Sequence, residues 1–266
     1  IRGSPRDAIV ADVSTKENRG KNFGLLRTMD NLGGVCGIIT CILLFTYLGY
    51  KDLLLLASIP SLISVLLTLI FIKDKETEKI YKGLSLKDIT LNFKLFLFLS
   101  ALFAGGSFSY SFLLIYAKEF GFEESFIPLL YLVFTGVASL FSLPFGKLAD
   151  RLNRKFVLIL SYLIWGLVCL GFVYVESYLG IVFLFILYGL HRAALEPVQR
   201  TFVSELSPVK HRASMLGAFQ MIVGLCALPA SVIAGFMWTG FGKSIPFCVS
   251  LALTSLAIVL MLFVKE

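Results

Sequence analysis

The sequence predicts an all-α polytopic membrane protein. Of its 266 residues, 58% are hydrophobic without counting glycine and only 15% are charged, whereas soluble domains average about 45–50% apolar residues with glycine included and about 25% charged. Apolar runs long enough for a helix to cross a bilayer recur along the chain, and they lack the alternation of short membrane β-strands. This composition excludes a soluble globular domain, a disordered chain and a disulfide-stapled small protein.

Eight apolar runs each predict a complete transmembrane helix, and Ile1–Ala11 predicts the tail of a ninth. About 20 mostly apolar residues are enough to cross the hydrocarbon layer. The chain does not begin with Met and opens with no signal-peptide pattern, so we expect that it starts part-way through a longer protein. The eight runs are Phe23–Leu48, Leu53–Ile72, Leu95–Ala117, Phe126–Gly146, Phe156–Val175, Leu179–Val203, Ala213–Trp238 and Ile245–Val264.

The distribution of basic residues predicts the orientation in the membrane. Because successive spans alternate in direction, the connections fall on two sides, with 16 Lys and Arg on one side and only Lys51, Lys118 and Lys243 on the other. Cytoplasmic connections carry the excess of basic residues, so we expect a cell-membrane protein with a cytoplasmic C-terminus. The net charge of +7 then indicates contact with the lipid bilayer, and no nucleic-acid partner is expected.

A shift of 193 residues aligns Val10–Leu25 with Val203–Ala218. Each segment contains the end of a predicted helix, a short turn and the start of the next helix. Internal repeats of this kind are typical of transporters. If the repeat holds, about one hundred residues precede the chain and the whole protein has twelve spans. The identical pairs are Val10/Val203, Ser14/Ser207, Arg19/Arg212 and Gly24/Gly217, and the same shift pairs Asp7 with Arg200.

Residues 146–155 read GKLADRLNRK. This resembles the G-x-L-a-D-R-x-G-R-K loop between the eighth and ninth helices of the major facilitator superfamily (MFS). Gly146 permits close helix approach, Asp150 can face a helix N-terminus or an Arg, and Arg151 and Arg154 can anchor to anionic headgroups. Asn153 replaces the family's second Gly; because Asn tolerates left-handed backbone, we expect the turn to be kept.

The resemblance implies the MFS fold, here from the tail of the fourth helix through the twelfth, and a secondary transporter that works by alternating access. The implied domains are residues 1–72 (the rest of an N-terminal bundle), 73–94 (a cytoplasmic linker) and 95–266 (a C-terminal six-helix bundle). Residues 84–94 fit either a solvated linker or an amphipathic surface helix. Gly24, Gly33 and Gly37 are similar to a glycine series in the family's antiporters, although Ile38 replaces the Pro that follows there, and they predict close helix packing.

Charged side chains inside the spans are the candidate functional residues. Each costs roughly 2.5–3.5 kcal/mol in a bilayer, so they normally face a cavity or one another. At 1.5 Å per residue, Glu196 and Asp30 lie about 15 Å deep, near the middle of a core of roughly 30 Å. Arg192, Glu196 and Arg200 share one helix face.

Two interpretations of the Glu196 face stay open. In one, Glu196 is a substrate contact or proton carrier in a cavity, with His191 as its partner. In the other, Arg192 and Arg200 neutralise Glu196 and lock the bundle. Similarly, Arg27 and Asp30 can pair within their helix or with Arg6 and Asp7. Gly105 and Gly106 are expected to loosen the helix that carries Tyr110.

The predicted site residues form three groups. Residues predicted to line a substrate cavity are His191, Arg192, Glu196, Tyr110, Asp30, Arg27 and Gln220. Residues predicted to act in gating are Asp7, Arg200, Gly146, Asp150, Arg151 and Arg154, and those predicted to pack helices are Gly24, Gly33 and Gly37.

The expected function is transport of a small polar or charged solute by a monomer without cofactors, and proton coupling is left open. The alternative is a membrane sensor on the same fold that binds its ligand without moving it. An enzyme is not expected, because the two histidines, His191 and His211, are far apart and form no metal or nucleophile constellation. The five cysteines lie inside apolar runs without a CxxC pair, which predicts packing residues.

Overall fold

The computed structural model describes residues 3–71 and 90–265, and within that part the chain folds into α-helices and short 3₁₀ turns without strands. Residues 84–89 of the predicted amphipathic segment at 84–94 lie outside the described residues. The α-helices are α1 (Gly3–Asp12), α2 (Arg19–Phe71), α3 (Leu91–Gly106), α4 (Ser111–Phe120), α5 (Ile127–Arg151), α6 (Arg154–Tyr174), α7 (Tyr178–Leu206), α8 (Arg212–Phe241) and α9 (Ile245–Phe263).

Side-chain caps fix where three of these helices begin. Thr90, Asn153 and Ser177 accept hydrogen bonds from backbone N–H groups in the first turns of α3, α6 and α7, which satisfies donors that have no partner within the helix. Asn153 therefore differs from the expectation: its φ of −175° is extended, not left-handed. It preserves the turn by capping α6.

Seven stretches among the described residues are long and apolar enough to cross a membrane, so the predicted count of eight spans plus part of a ninth is not confirmed. The difference arises in α2, where two predicted spans join into one element of 53 residues that is broken only at Gly49 (φ 67°, ψ −177°). Glycine takes positive φ without strain, so one residue replaces the expected loop. Residues 19–48 and 50–71 are each longer than the roughly 20 residues that a span needs.

The helix predicted over Leu95–Ala117 is interrupted next to its paired glycines. Helix α3 ends at Gly106 and α4 begins at Ser111. Leu253 and Ser250 of α9 lie against Gly106, where a Cβ would come within 2.9 Å of the Leu253 side chain. The interruption brings Ser107, Ser109 and Tyr110 to the wall of a cavity described below.

The core is rich in aromatic side chains and lies among α3, α6, α7 and α9. Tyr162 and Trp165 are buried, the Tyr162 ring stacks on Phe103 at 4.2 Å, and Trp165 Nε1 donates a 2.9 Å hydrogen bond to Ser250 Oγ. Large apolar side chains on the outer faces, such as Leu163, are exposed. This arrangement is typical of a protein whose surroundings are lipid.

Small residues let the backbones of α2 and α5 touch. A Cβ on Gly20 would lie 2.5 Å from the carbonyl oxygen of Gly146, and one on Gly24 would lie 2.7 Å from that of Ser142. One turn further along, Thr28 Oγ1 donates to the Ser139 carbonyl at 3.0 Å, and Ser139 Oγ donates back to the Thr28 carbonyl at 3.1 Å. The two helices are thus held together over the first three turns of α2.

The 193-residue repeat has a structural counterpart. Helices α2 and α8 begin at Arg19 and Arg212, the identical residues of the alignment. In the turns before them, Ser14 Oγ and Ser207 Oγ donate to the carbonyl four residues earlier. The two aligned segments therefore fold in the same way.

We expect Gly146→Ala to destabilise the protein and Gly136→Ala, in the same helix, not to do so. A Cβ at Gly146 collides with the Gly20 backbone, whereas a Cβ at Gly136 meets no described atom within 4 Å. Overpacking costs about 1–3 kcal/mol, while alanine in an open helical position gains about 0.5–1 kcal/mol. Thermal unfolding in detergent measures both, and equal melting temperatures for the two variants would contradict this account of the interface.

Candidate functional site

A buried aspartate joins four helices. The Asp7 side chain on α1 is fully buried, and its Oδ1 accepts a hydrogen bond from Arg27 Nη2 on α2 at 3.2 Å. Its Oδ2 pairs with Arg200 on α7 and accepts a 2.8 Å bond from Gln220 Nε2 on α8. Burial of an unpaired carboxylate is costly, and here both oxygens of Asp7 accept hydrogen bonds, from donors on three other helices.

Asp30 extends this arrangement along α2. Arg6 donates to both Asp30 oxygens at 2.8 Å, and Arg27 Nη1 donates to Oδ2 at 2.8 Å. Arg27 therefore bridges Asp7 and Asp30. Both pairings left open by the sequence occur together: Arg27 with Asp30 within the helix, and both residues with α1. We call these residues, together with Arg200 and Gln220, the central charge cluster.

Repeat-related residues meet in this cluster. Positions 7 and 200 differ by the 193-residue shift, and so do positions 27 and 220. Asp7 binds its own counterpart, Arg200, and it also binds both members of the second pair, Arg27 and Gln220. The cluster thus lies where the two repeats face each other.

A second polar network lies at the basic end of the helices. Asp150 accepts hydrogen bonds from the backbone N–H groups of Gly20 at 2.8 Å and Lys21 at 2.7 Å. It thereby caps the N-terminus of α2 from another helix, where the helix dipole favours a negative charge. Arg154 lies 3.4 Å from Asp150, so Asp150 contacts both partners that its sequence position allows.

Three further contacts tie the helix ends of this network together. Arg154 Nη2 is 2.9 Å from Glu205 and donates to the Lys16 carbonyl at 2.6 Å. Arg212, the counterpart of Arg19, pairs with Asp12 at 2.6 Å. The connections 12–19, 151–154 and 206–212 are therefore joined by charged groups at one end of the bundle.

A cavity of about 400 Å³ lies between α3, the α3–α4 interruption, α7 and α8, on the far side of the central charge cluster from this network. Its wall carries the ion pair of Arg192 with Glu196, whose side chains are 35% and 22% exposed, and Tyr188 Oη lies 3.5 Å from Arg192. Tyr110 at the wall stacks parallel to Tyr131 at 5.4 Å. The other polar residues that line the cavity are Ser100, Ser107, Ser109, His191, Gln199 and Ser231.

His191 has a different partner from the one predicted. Its Nδ1 lies 2.8 Å from the Ser161 carbonyl oxygen and 3.2 Å from Ser161 Oγ on α6, and its ring packs on Trp165, Phe103 and Tyr188. His191 therefore does not contact Glu196 through this nitrogen, as one of the two open interpretations had allowed. Glu196 forms an ion pair with Arg192, four residues before it, and His191 joins α6 and α7 at the edge of the cavity.

The remaining predicted residues divide between cavity and cluster. Arg192, Glu196 and Tyr110 line the cavity, whereas Arg27, Asp30 and Gln220, which were predicted to line it, belong to the central charge cluster. Arg200 neutralises Asp7 rather than Glu196.

The structure gives different surroundings to the three glycines that were predicted to pack helices, and it exposes one residue of the loop at 146–155. Gly24 packs against α5, but a Cβ on Gly33 or Gly37 would meet no described atom within 4 Å, so a packing role for these two residues stays a prediction. Arg151 is exposed at the end of α5.

Sequence reasoning missed several polar residues that structure brings together. Gln199, Ser100 and Ser107 line the cavity, and Asp12, Glu205 and Arg212 belong to the network at the basic end. The repeat carried a signal for the second group, because position 12 aligns with 205 and position 19 with 212. Single serines and glutamines in apolar helices carry no such signal. Across residues 3–71 and 90–265, groups of His, Cys, Asp and Glu that would hold a metal are absent.

Apolar helices of membrane-spanning length, a polar cavity between them and ion pairs buried among four helices define a multi-pass membrane protein with a polar interior. The Major Facilitator Superfamily profile matches residues 94–266. The chain belongs to this superfamily.

Three similar proteins support this membership. Over 249 residues, which are 90% of this chain and 62% of the relative, the chain is 38% identical to the uncharacterised MFS-type transporter MJ1317 of Methanocaldococcus jannaschii. It is 26% identical to the uncharacterised MFS-type transporter YxiO of Bacillus subtilis over 57% of this chain and 36% of that protein. It is 24% identical to MJ1560 of M. jannaschii over 50% and 34% of the two chains. The chain spans about three fifths of MJ1317 and about a third of the other two relatives.

We expect Asp150→Ala to lower the stability of the protein by about 1–3 kcal/mol, because two backbone N–H groups at the start of α2 lose their acceptor. Asp150→Asn keeps one carbonyl acceptor and should lose less. Arg151→Ala, one position along at an exposed site, is the matched control and should stay within about 0.5 kcal/mol of the wild type. Chemical or thermal unfolding in detergent gives the order, and an Asp150→Ala variant as stable as the control would contradict the capping role.

Proposed function

We propose that the protein is a secondary active transporter that moves a small polar or charged solute by alternating access. The observation that carries this proposal is the cavity holding the Arg192–Glu196 pair, next to a charge cluster that joins helices across the repeat boundary. Membership of the superfamily and the names of the relatives support it. The proposed transporter has twelve spans, of which this chain supplies eight and part of a ninth, and it acts as a monomer.

The proposed orientation places the basic connections and the C-terminus in the cytoplasm and the protein in the cell membrane. The excess of Lys and Arg on that side supports it. In this orientation the network of Asp150, Arg154 and Arg212 lies at the cytoplasmic end, and the central charge cluster lies between this end and the cavity.

The contacts between the repeats support a state closed on the cytoplasmic side. Helix α2 touches α5 from Gly20 to Thr28, and a Cβ on Gly34 would still lie 3.4 Å from Thr135. Beyond that point, at Gly37, the space is open among the described residues. In the proposed cycle, the Asp7–Arg200 pair and the Asp150 cap form the cytoplasmic gate, and both must break before the cavity opens inward.

Within the cavity we propose Arg192 and Glu196 as solute contacts. Both side chains are partly exposed and line the cavity, and Tyr188 Oη lies 3.5 Å from Arg192, so a polar solute can exchange its water for these partners. Arg192 forms an ion pair with Glu196, so a polar solute in the cavity meets both charges together. A direct contact with the solute is therefore the favoured role of Glu196, and proton carriage is the second.

The function is tested by uptake into proteoliposomes that contain the full-length protein, using a panel of polar and charged solutes with and without a pH gradient. We expect accumulation of at least one solute, and a loss on the order of tenfold for Arg192→Gln and Glu196→Gln, since each removes a charged hydrogen-bonding group. Lys147→Gln, at an exposed position with no predicted role, is the control and should retain uptake within about twofold. If no solute in the panel accumulates, the transport proposal fails.

The pH gradient separates the two roles of Glu196. If this residue contacts the solute, Glu196→Gln slows uptake but leaves its dependence on the gradient unchanged. If it carries the proton, the variant loses the response to the gradient and keeps solute exchange. Uptake that is unchanged in both cavity variants would place the solute site elsewhere.

The gate is tested by labelling a cysteine introduced at Ser142, which is fully buried between α2 and α5, in a background without the five native cysteines. We expect Arg200→Gln to speed labelling from the cytoplasmic side several-fold, because loss of one partner of a coupled charge pair weakens the closed state. Lys147→Gln controls for the loss of an exposed positive charge. Equal labelling rates in the two variants would contradict the gate.

A further inference from the structure

A cavity of about 450 Å³ opens at the basic end of the bundle and is separate from the proposed solute site. Three of its lining residues are cationic, Lys16, Arg19 and Arg154, and one is anionic, Glu205. The N-terminus of α6 begins at this wall with Asn153 and Arg154, and the positive end of a helix dipole adds to the attraction for an anion. The wall therefore favours a negatively charged ligand.

Arg19 has donors that the protein leaves free. Its side chain is 8% exposed, its Nε makes no hydrogen bond within the described part of the chain, and its Nη2 donates a long bond of 3.4 Å to the Ser14 carbonyl. The positive charges of Arg212 and Arg154 repel it, and Glu205 attracts it. A buried guanidinium with so few hydrogen bonds is costly, and an anion in the cavity would supply acceptors to the terminal nitrogens of Arg19.

The acidic groups near this cavity are engaged or solvated. Asp150 accepts two backbone hydrogen bonds at the start of α2. Glu17, in the α1–α2 connection, is exposed, and a hydrogen bond with Thr15 lowers its pKa. Glu205 lies against Arg154. These three carboxylates therefore accept no hydrogen bond from Arg19 Nε.

An apolar groove continues from the cavity along the outside of α6. Leu152 and Asn153 line both the cavity and a neighbouring groove of about 540 Å³, whose other lining residues include Phe156 and Ile159. Phe156 is 52% exposed. A basic cavity joined to an exposed apolar groove, at the level where helices end, matches the shape of a phospholipid with its phosphate inside and an acyl chain outside.

We propose that this cavity and groove bind one anionic phospholipid, whose phosphate contacts Arg19 and Lys16 and whose acyl chain lies along Leu152, Phe156 and Ile159. Arg19 begins α2, while Asn153 and Arg154 begin α6. The cavity therefore lies between the start of α2 and the start of α6. The assignment is independent of the transported solute.

Lipid binding is tested with the full-length protein in nanodiscs of phosphatidylcholine with or without phosphatidylglycerol. Native mass spectrometry counts the retained phosphatidylglycerol, and thermal unfolding reports stabilisation. We expect one retained lipid in the wild type and an affinity about tenfold lower in Arg19→Gln, because a charged hydrogen bond is lost. Lys16→Gln, in an exposed connection where folding is not at stake, should weaken binding about fivefold.

Lys21→Gln is the matched charge control, because Lys21 is exposed two residues after Arg19 and does not line the cavity. General attraction of the basic surface for anionic lipid predicts equal losses for Arg19, Lys16 and Lys21 variants, and equal losses would overturn the proposal. For the groove, Phe156→Ala should weaken binding, whereas Leu163→Ala, on the same helix with 51% exposure, should not.

Two further ligands separate headgroup from chain. If diacylglycerol stabilises the protein as well as phosphatidylglycerol does, the phosphate is not recognised and the proposal fails. If inorganic phosphate at constant ionic strength binds with the same dependence on Arg19 but phosphatidylglycerol is not retained, the site takes a soluble anion and the lipid assignment is overturned. Retention of phosphatidylglycerol that depends on both Arg19 and Phe156 supports it.

Discussion

The cost of a lone charge in a bilayer determines how this molecule is organised. Asp7 is fully buried at the meeting point of four helices, where an unpaired carboxylate would not remain ionised. Its partners come from α2, α7 and α8, so those helices can move apart only if new partners, such as water or a solute, replace the ones that are lost. Electrostatic pairing thereby couples the position of whole helices to what occupies the space between them.

Much of the fold could be predicted from the lengths of the apolar runs in the sequence. The apolar runs and the basic connections predict a helical membrane protein, because these signals depend only on composition along the chain. The family was implied by the resemblance of residues 146–155 to a family loop, and the family profile confirms it. The joining of two predicted spans into one bent helix at Gly49 could not be predicted from these signals. Glycine marks the break in the sequence, but whether a short polar segment forms a loop or a bent helix depends on the packing around it, which no local pattern records.

The charged residues inside the helices could be recognised from the sequence, but only some of their partners could be. Depth and helical spacing single out Arg192 and Glu196, and spacing alone gives their pair. The cluster around Asp7 needed distances between helices: Arg27 and Gln220 are far apart in sequence, and only the tertiary fold brings both to one carboxylate. His191 shows the reverse, because its nearest polar neighbour in sequence, Arg192, is not its partner, and a carbonyl on α6 takes that place.

The contact between Asp7 and Arg200 has a consequence for the ancestry of the molecule. A residue that meets its own repeat-related position faces a copy of itself in any duplicated gene whose halves are still the same. Two aspartates or two arginines would then repel each other across the junction. Opposite charges at the two positions remove this repulsion, and Asp7 and Arg200 have that combination.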